Sequence, residues 1–149
     1  MKFAIVYVSY SGNTRDLAYC LTKSIEECGH MVHTYSVRDI VDLEKYDYVL
    51  FGSLTWTKGS LPIQMCKYLK KILIDSPVNF KHCSVFGTGE TQWGEHTYCK
   101  AVDEMEYHLI KNNKSVHSKL KVEQNPIGKW KQINQFIEEL MEEVQTIEN

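Results

Sequence analysis

Lys2-Phe3-Ala4-Ile5-Val6-Tyr7-Val8, running straight into Ser9-Tyr10-Ser11-Gly12-Asn13-Thr14, is the stretch on which the fold turns. Its first half is a short, nearly continuous apolar run, the pattern of a strand buried on both faces. From Thr14 the spacing changes, and Leu17, Ala18, Leu21 and Ile25 recur at helical intervals on one face. A strand that feeds directly into a helix aims the unpaired N–H groups of the first helical turn, and the positive end of the helix dipole, at one point where an anion fits. The hydroxyls of Ser9, Ser11 and Thr14 can donate to phosphate oxygens, Gly12 permits a positive φ, and Asn13 tolerates the left-handed region. The loop holds no lysine, and it lacks the G-x-x-x-x-G-K-[ST] and G-x-G-x-x-G spacings of nucleotide sites. It therefore predicts a phosphate, such as a monoester, held by hydroxyls and amides; the alternative is an ordinary polar turn in which Ser11 or Asn13 caps the helix.

Outward from that stretch the same alternation repeats. The first helix ends near Cys28-Gly29, and residues 31–36 alternate as a strand. A polar connector over 39–45 leads to a buried strand over 46–52, then a loop over 53–61 and a helix from Pro62, well placed at a first helical position, to about Asp75. A fourth strand over 81–87 runs into a glycine-punctuated loop, 87–96, and the apolar positions Cys99, Val102, Met105, Leu109 and Ile110 then suggest a helix over 97–112. A weaker strand over 116–122 and a closing amphipathic helix over 128–147, with Trp130, Ile133, Phe136, Ile137, Leu140, Met141 and Val144 on its buried side, complete the chain. Five strands alternating with helices imply an α/β fold, a parallel sheet covered on both faces. Ligands of such sheets bind beyond the carboxyl ends of the strands, so the loops 9–14, 53–61 and 87–98 are expected to converge on one site.

Composition narrows the class. At 149 residues, 43% apolar and net charge −2, the chain predicts a single domain over 1–149 with a substantial core. No apolar run approaches the roughly 20 residues of a membrane span, and the start Met1-Lys2-Phe3 does not read as a signal peptide. Five cysteines without a C-x-x-C pair read as buried thiols in a reducing cytoplasm, and six scattered histidines supply no metal-ligand spacing. The weak net charge argues against nucleic-acid binding; Lys111, Lys114, Lys119, Lys121, Lys129 and Lys131 read as a solvated face. Trp56 and Trp93 stand in two of the three loops, and a pair of aromatics beside a phosphate cradle suits a planar heteroaromatic group with a phosphate tail, demands that flavin mononucleotide (FMN) meets.

Ser9-x-Ser11-Gly12-Asn13-Thr14, Thr55-Trp56-x-x-Gly59-x-Leu61-Pro62 and Gly87-x-Gly89-Glu90 followed by Tyr98-Cys99-x-Ala101-Val102-Asp103 together resemble the short-chain flavodoxins over essentially the full length. The flavodoxin strand order is itself a standing example of the switch-point rule. The resemblance implies a flavodoxin-like, three-layer, doubly wound five-stranded parallel sheet of order 2-1-3-4-5. It implies FMN bound noncovalently by Ser9, Tyr10, Ser11, Gly12, Asn13, Thr14, Thr55, Trp56, Thr57, Lys58, Gly59, Thr88, Gly89, Glu90, Trp93 and Tyr98. Trp56 would pack on one face of the flavin, and Trp93, or in its place Tyr98, on the other. Backbone groups of 88–90 would meet its pyrimidine edge. On that reading the chain is a cytoplasmic, monomeric, low-potential electron carrier, not an enzyme. It would move one electron at a time from a flavodoxin/ferredoxin–NADP reductase-type donor to acceptor redox enzymes, with no metal, membrane or nucleic acid involved.

Two departures from the family pattern stand out. Thr57-Lys58 replaces the Gly-Asp common in close relatives; if the turn is type II′, Thr57 would resist its positive φ by roughly 1–2 kcal/mol, on the order of 40–90 mV at one electron, and weaken the one-electron reduced form. Lys58 would favour the anionic reduced flavin if it stays near the ring, or else point into solvent. The third loop is also about two residues longer than the nearest family pattern, with Trp93-Gly94 where a tyrosine is usual.

Rival readings are the flavodoxin-like activator of manganese ribonucleotide reductase, towards which Gln92-Trp93-Gly94 leans, and an FMN-dependent quinone reductase, whose substrate Trp56 and Trp93 would obstruct. A receiver-type signalling domain is excluded, because Ser9, Tyr10 and Ser53 stand where its acidic residues are needed.

Overall fold

The structure, a computed structural model, describes residues 1–149 with the exception of the side chains of Thr57 and Trp93. Strands β1 (Lys2–Val8), β2 (Met31–Ser36), β3 (Tyr48–Leu54), β4 (His82–Gly89) and β5 (Ser115–Glu123) form one parallel sheet of order β2-β1-β3-β4-β5. This is the doubly wound order that the resemblance implied. Helices α1 (Asn13–Glu27), α2 (Ile63–Lys70), α3 (Lys100–Lys111) and α4 (Trp130–Glu148) cover it.

The pleat of β1 sorts its run into two cores. Phe3 and Ile5 pack with Leu17, Leu21 and Ile25 of α1 and Ile133 and Leu140 of α4. Ala4, Val6 and Val8 face the other way, against Met65 and Leu69 of α2 and Val102 and Met105 of α3. A side chain buried this completely contributes roughly 1.5–3 kcal/mol. Isolated helices of α2's eight residues are marginal in water, so burial of the apolar stripe holds that helix in place.

Several boundaries differ from the sequence expectation. β3 begins and ends two residues later than 46–52, because Tyr46 closes a turn onto the Leu43 carbonyl while Ser53 and Leu54 still find partners in Gly87 and Thr88. β4 likewise continues to Gly89, paired with Glu123, so Thr88 and Gly89 belong to the strand. The helix expected to reach Asp75 is α-helical only to Lys70; a turn of π-helix over Lys71–Asp75 follows, closed by the Ser76 N–H on the Lys71 carbonyl, just before Pro77 forbids continuation. The helix expected from 97 starts at Lys100, because Cys99 takes a left-handed backbone, φ 48°.

Two burial expectations are corrected. Trp130 opens α4 but is 55% exposed; the buried face of the helix begins at Ile133. Of the five cysteines, all of them free, Cys83 and Cys99 are buried, Cys20 is half-buried, and Cys28 and Cys66 are exposed. No helix among the described residues is long and apolar enough to cross a membrane, and no group of three metal-ligating side chains occurs among them.

Candidate functional site

The turn after β1 is built around Gly12, at φ 97° and ψ −8°, a conformation other residues resist. Its carbonyl accepts the first helical bond, from Asp16 N–H at 2.9 Å, and no side chain caps the helix, so neither Ser11 nor Asn13 plays that role. The left-handed residue is Gly12 and not Asn13, which is already helical. The Ser9 hydroxyl accepts the Gly12 N–H at 3.1 Å and folds the loop on itself. Thr14 is buried, and its Oγ1 lies 2.8 Å from that of Thr88, which ties the start of α1 to the end of β4. Arg15, unremarked in the sequence, reaches back towards the helix N-terminus as helical side chains do. Its Nη2 lies 2.9 Å from where a Cβ on Gly12 would stand, so the cation missing from the loop itself arrives from the helix.

The second loop is a tight turn presenting Trp56. Trp56 N–H donates to the Ser60 carbonyl at 2.8 Å, and Gly59 N–H to the Trp56 carbonyl at 3.1 Å. Lys58 and Gly59 take successive left-handed conformations, φ 59° and 81°. The expectation of strain at Thr57 lies outside the described residues. Thr55 anchors the turn: its N–H donates to the Thr88 carbonyl at 3.0 Å and its hydroxyl accepts the Ala101 N–H at 3.2 Å. Trp56 is 50% exposed and meets the Tyr10 ring edge-on at 4.9 Å.

The third loop leaves β4 at Gly89. A Cβ there would stand 2.8 Å from the Cys99 nitrogen and 3.1 Å from its Sγ, so only glycine lets the returning chain pack this close. The Gly89 carbonyl accepts the N–H of Gln124 at 2.8 Å, and Thr91 N–H donates to the Glu123 carboxylate at 3.2 Å. The Thr91 hydrogen bonds hold the Glu123 carboxyl below the usual carboxylate range. Burial pushes the Cys99 thiol up to about 11, which leaves it protonated and inert beneath the loop. The Gln92 amide donates to the Glu90 carboxylate.

These loops enclose one cavity of about 620 Å³, within the range of roughly 300–1,000 Å³ of small-molecule sites. Ser11 and Asn13 reach it from the first loop, Thr55, Trp56, Lys58 and Gly59 from the second, and Thr88, Gly89 and Glu90 from the end of β4. Leu54, Thr97 and Gln124 line it too and were missed in the sequence. Gln124 had a legible signal, since it follows β5 at the same carboxyl edge, but it lies outside the three loops whose unusual residues drew attention. Ser9, Tyr10 and Gly12 instead line an adjoining cavity of about 340 Å³, with Arg15 and Arg38. Thr14 lies beneath the floor, paired with Thr88. Tyr98 is not among the lining residues; it packs against the core on the α3 side, and burial pushes its phenol up. The stacking role expected of Trp93 lies outside the described residues.

An indole and a leucine at one side, backbone bare of side chains at Gly59 and Gly89, and polar groups at a helix N-terminus together suit a flat heteroaromatic ring with an anionic tail. The class so defined is a doubly wound parallel α/β domain whose ligand site lies at the carboxyl ends of β1, β3 and β4, where the strand order reverses.

Comparison with known proteins gives the family. The sequence model of the flavodoxins matches residues 5–127, and the chain belongs to the flavodoxin family. It is 32% identical over 133 residues to "Probable flavodoxin 2" of Bacillus subtilis (strain 168), covering 85% of each chain. It is 36% identical over 115 residues to a flavodoxin of Maridesulfovibrio salexigens, covering 74% of this chain and 77% of that one. Among solved structures, oxidised flavodoxin 2 from Bacillus cereus superposes with a TM-score of 0.81 at 26% identity, over 96% of this chain and 99% of that one. A mutant flavodoxin of Fusobacterium nucleatum, solved bound to flavin mononucleotide, shares the fold at a TM-score of 0.64 and 18% identity, over 77% of this chain and 66% of that one.

Proposed function

We propose that this chain is an electron carrier that binds FMN noncovalently in the 620 Å³ cavity and passes one electron at a time between a reductase and acceptor redox enzymes. The observation that carries the reading is the convergence on one cavity of Ser11 and Asn13 at the start of α1, the half-exposed Trp56 and the bare end of β4. Family membership and the FMN bound by the Fusobacterium relative support it.

When bound, FMN supplies the redox chemistry, taking up and releasing electrons singly. Everything else falls to the chain. Ser11, Asn13 and the N–H groups opening α1 would hold the phosphate tail. Trp56 would cover one face of the ring, and the backbone of 88–90 would meet its polar edge. Leu54 and Trp56 exclude water from that side, and the carboxylate of Glu90 opposes added negative charge; both push the potential down, while Lys58 in the cavity wall works against them. Half of Trp56 stays open to solvent, which leaves a rim where donor and acceptor can dock in turn. A donor of the flavodoxin/ferredoxin–NADP reductase type and a cytoplasmic location complete the reading.

Stepwise anaerobic reduction of the purified protein, followed by its visible spectrum, tests this. The expected result is a yellow protein that passes through a one-electron stage before full reduction, with no turnover of quinones in the absence of a partner. A colourless protein that takes up no added FMN would overturn the reading, as would direct hydride turnover of small substrates.

A further inference from the structure

We propose that Tyr10 is a positioning residue for Trp56, bracing the indole from outside the cavity so that it stands in place before FMN arrives; this rests on the FMN reading above. By sequence Tyr10 belongs to the phosphate loop, where a hydroxyl would be expected to serve the phosphate. The side chain leaves that loop instead. Its hydroxyl donates to Gln64 Oε1 at 2.6 Å, in the first turn of α2, and its ring meets the Trp56 indole at 4.9 Å with the planes 84° apart. Tyr10 lines the outer cavity of about 340 Å³ and not the inner one, whereas Trp56 lines the inner one and not the outer. The tyrosine thus stands on the far side of the indole from the ring site.

Trp56 needs such a support. It stands at the base of the short turn closed by its own N–H on Ser60, and half of it is exposed. Among the described residues Tyr10 gives its single ring contact. Gln64, in turn, is fixed by α2, whose neighbouring Met65 is fully buried in the core. The chain of contacts runs from core to α2 to Gln64 to Tyr10 to Trp56, and it joins the loop expected at the phosphate end of FMN to the one expected at its ring. Holding an aromatic anchor in its bound position removes part of the ordering cost of binding. An edge-to-face pair of this kind corresponds to about 2- to 12-fold in affinity.

Apoprotein titrated with FMN and with riboflavin, which has the ring but no phosphate, separates this role from one in the phosphate loop. Tyr10→Ala is expected to weaken both flavins by the same factor, about 2- to 12-fold, and Tyr10→Phe, which keeps the ring and loses Gln64, to fall between. On a Trp56→Ala background the Tyr10→Ala loss should vanish, and with Trp56 intact Tyr10→Ala should shrink the near-ultraviolet circular dichroism of the apoprotein. A loss confined to FMN, or one that persists without Trp56, would overturn the brace and leave the FMN reading standing. Uptake of neither flavin by the unaltered chain would overturn that reading, and the brace with it.

Discussion

Lys58 carries a left-handed backbone, φ 59° and ψ 23°, next to Gly59 at φ 81°. A side chain pays for that conformation with a clash between its Cβ and the following carbonyl. Lys58→Gly should therefore stabilise the apoprotein by about 0.5–1 kcal/mol, read as a higher urea midpoint. An unchanged or lower midpoint would show that the turn holds Lys58 without strain. The sequence does not single out Lys58, for a physical reason: which central residue of a turn takes a positive φ depends on turn type, and Thr-Lys, without glycine or asparagine, leaves the type open. Gly12 was legible for the opposite reason, because only glycine among its neighbours takes φ 97° without cost. Arg15 was not, since it acts on the loop from one helical turn away, and Gln124, whose place after β5 at the carboxyl edge was legible, acts on the third loop from the neighbouring strand.

At the scale of elements, every strand and helix of the sheet order was readable, because each apolar run has the period of its structure. Continuous runs such as Phe3–Val6 mark strands buried on both faces, and Leu17, Leu21 and Ile25 mark one face of a helix. What pattern does not fix is where an element stops. β3 and β4 run on because their neighbours offer ladder partners, Leu54 to Thr88 and Gly89 to Glu123, and no local signal announces a partner distant in sequence. The α-helix gives way to a π turn after Lys70, shortly before Pro77, and nothing in the local apolar period announces that change. At the site the consequence is concrete: Thr88 and Gly89 are held by the sheet, so the wall expected to meet the ring's polar edge is rigid backbone and not loop. Tyr98 shows the converse limit, since an aromatic in an edge loop looks the same in sequence whether it faces a ligand or the core.

For the molecule as a whole, chemistry divides between the two ends of the sheet. The carboxyl end holds the cavity. The amino end holds a titratable cluster in which His82 Nδ1 lies 2.9 Å from His117 Nε2, His117 lies 3.7 Å from the Glu143 carboxylate, and Tyr48 and Ser118 donate to that carboxylate. Burial, then His117 and Lys81, hold the His82 pKa below its ordinary 6.5 against the pull of Glu143. The unfolded chain therefore binds this proton more readily than the folded one, so this stability is present above about pH 6.5 and is lost as pH falls below that, through the lowered value of the folded protein. His30, lowered by burial and by the amino terminus, adds with the same sign. The urea midpoint should fall between pH 7.5 and 5.5, and His82→Gln should flatten part of that slope; a midpoint that rises on acidification would contradict the assignment. The lysines of the last third also find structural work in this frame. Lys119 and Lys121 pair with Asp103, and Lys114 and Lys129 donate to backbone carbonyls, so these four of the six lysines are held within the fold.

If three separate turns act as one FMN site, hydrogen exchange of the backbone amides, with and without saturating FMN, will report it. Exchange should slow together in 9–14, 54–60 and 88–98, with little change in 30–36 or at the amino ends of the strands. Protection confined to one of those turns, or appearing elsewhere in the chain, would contradict it.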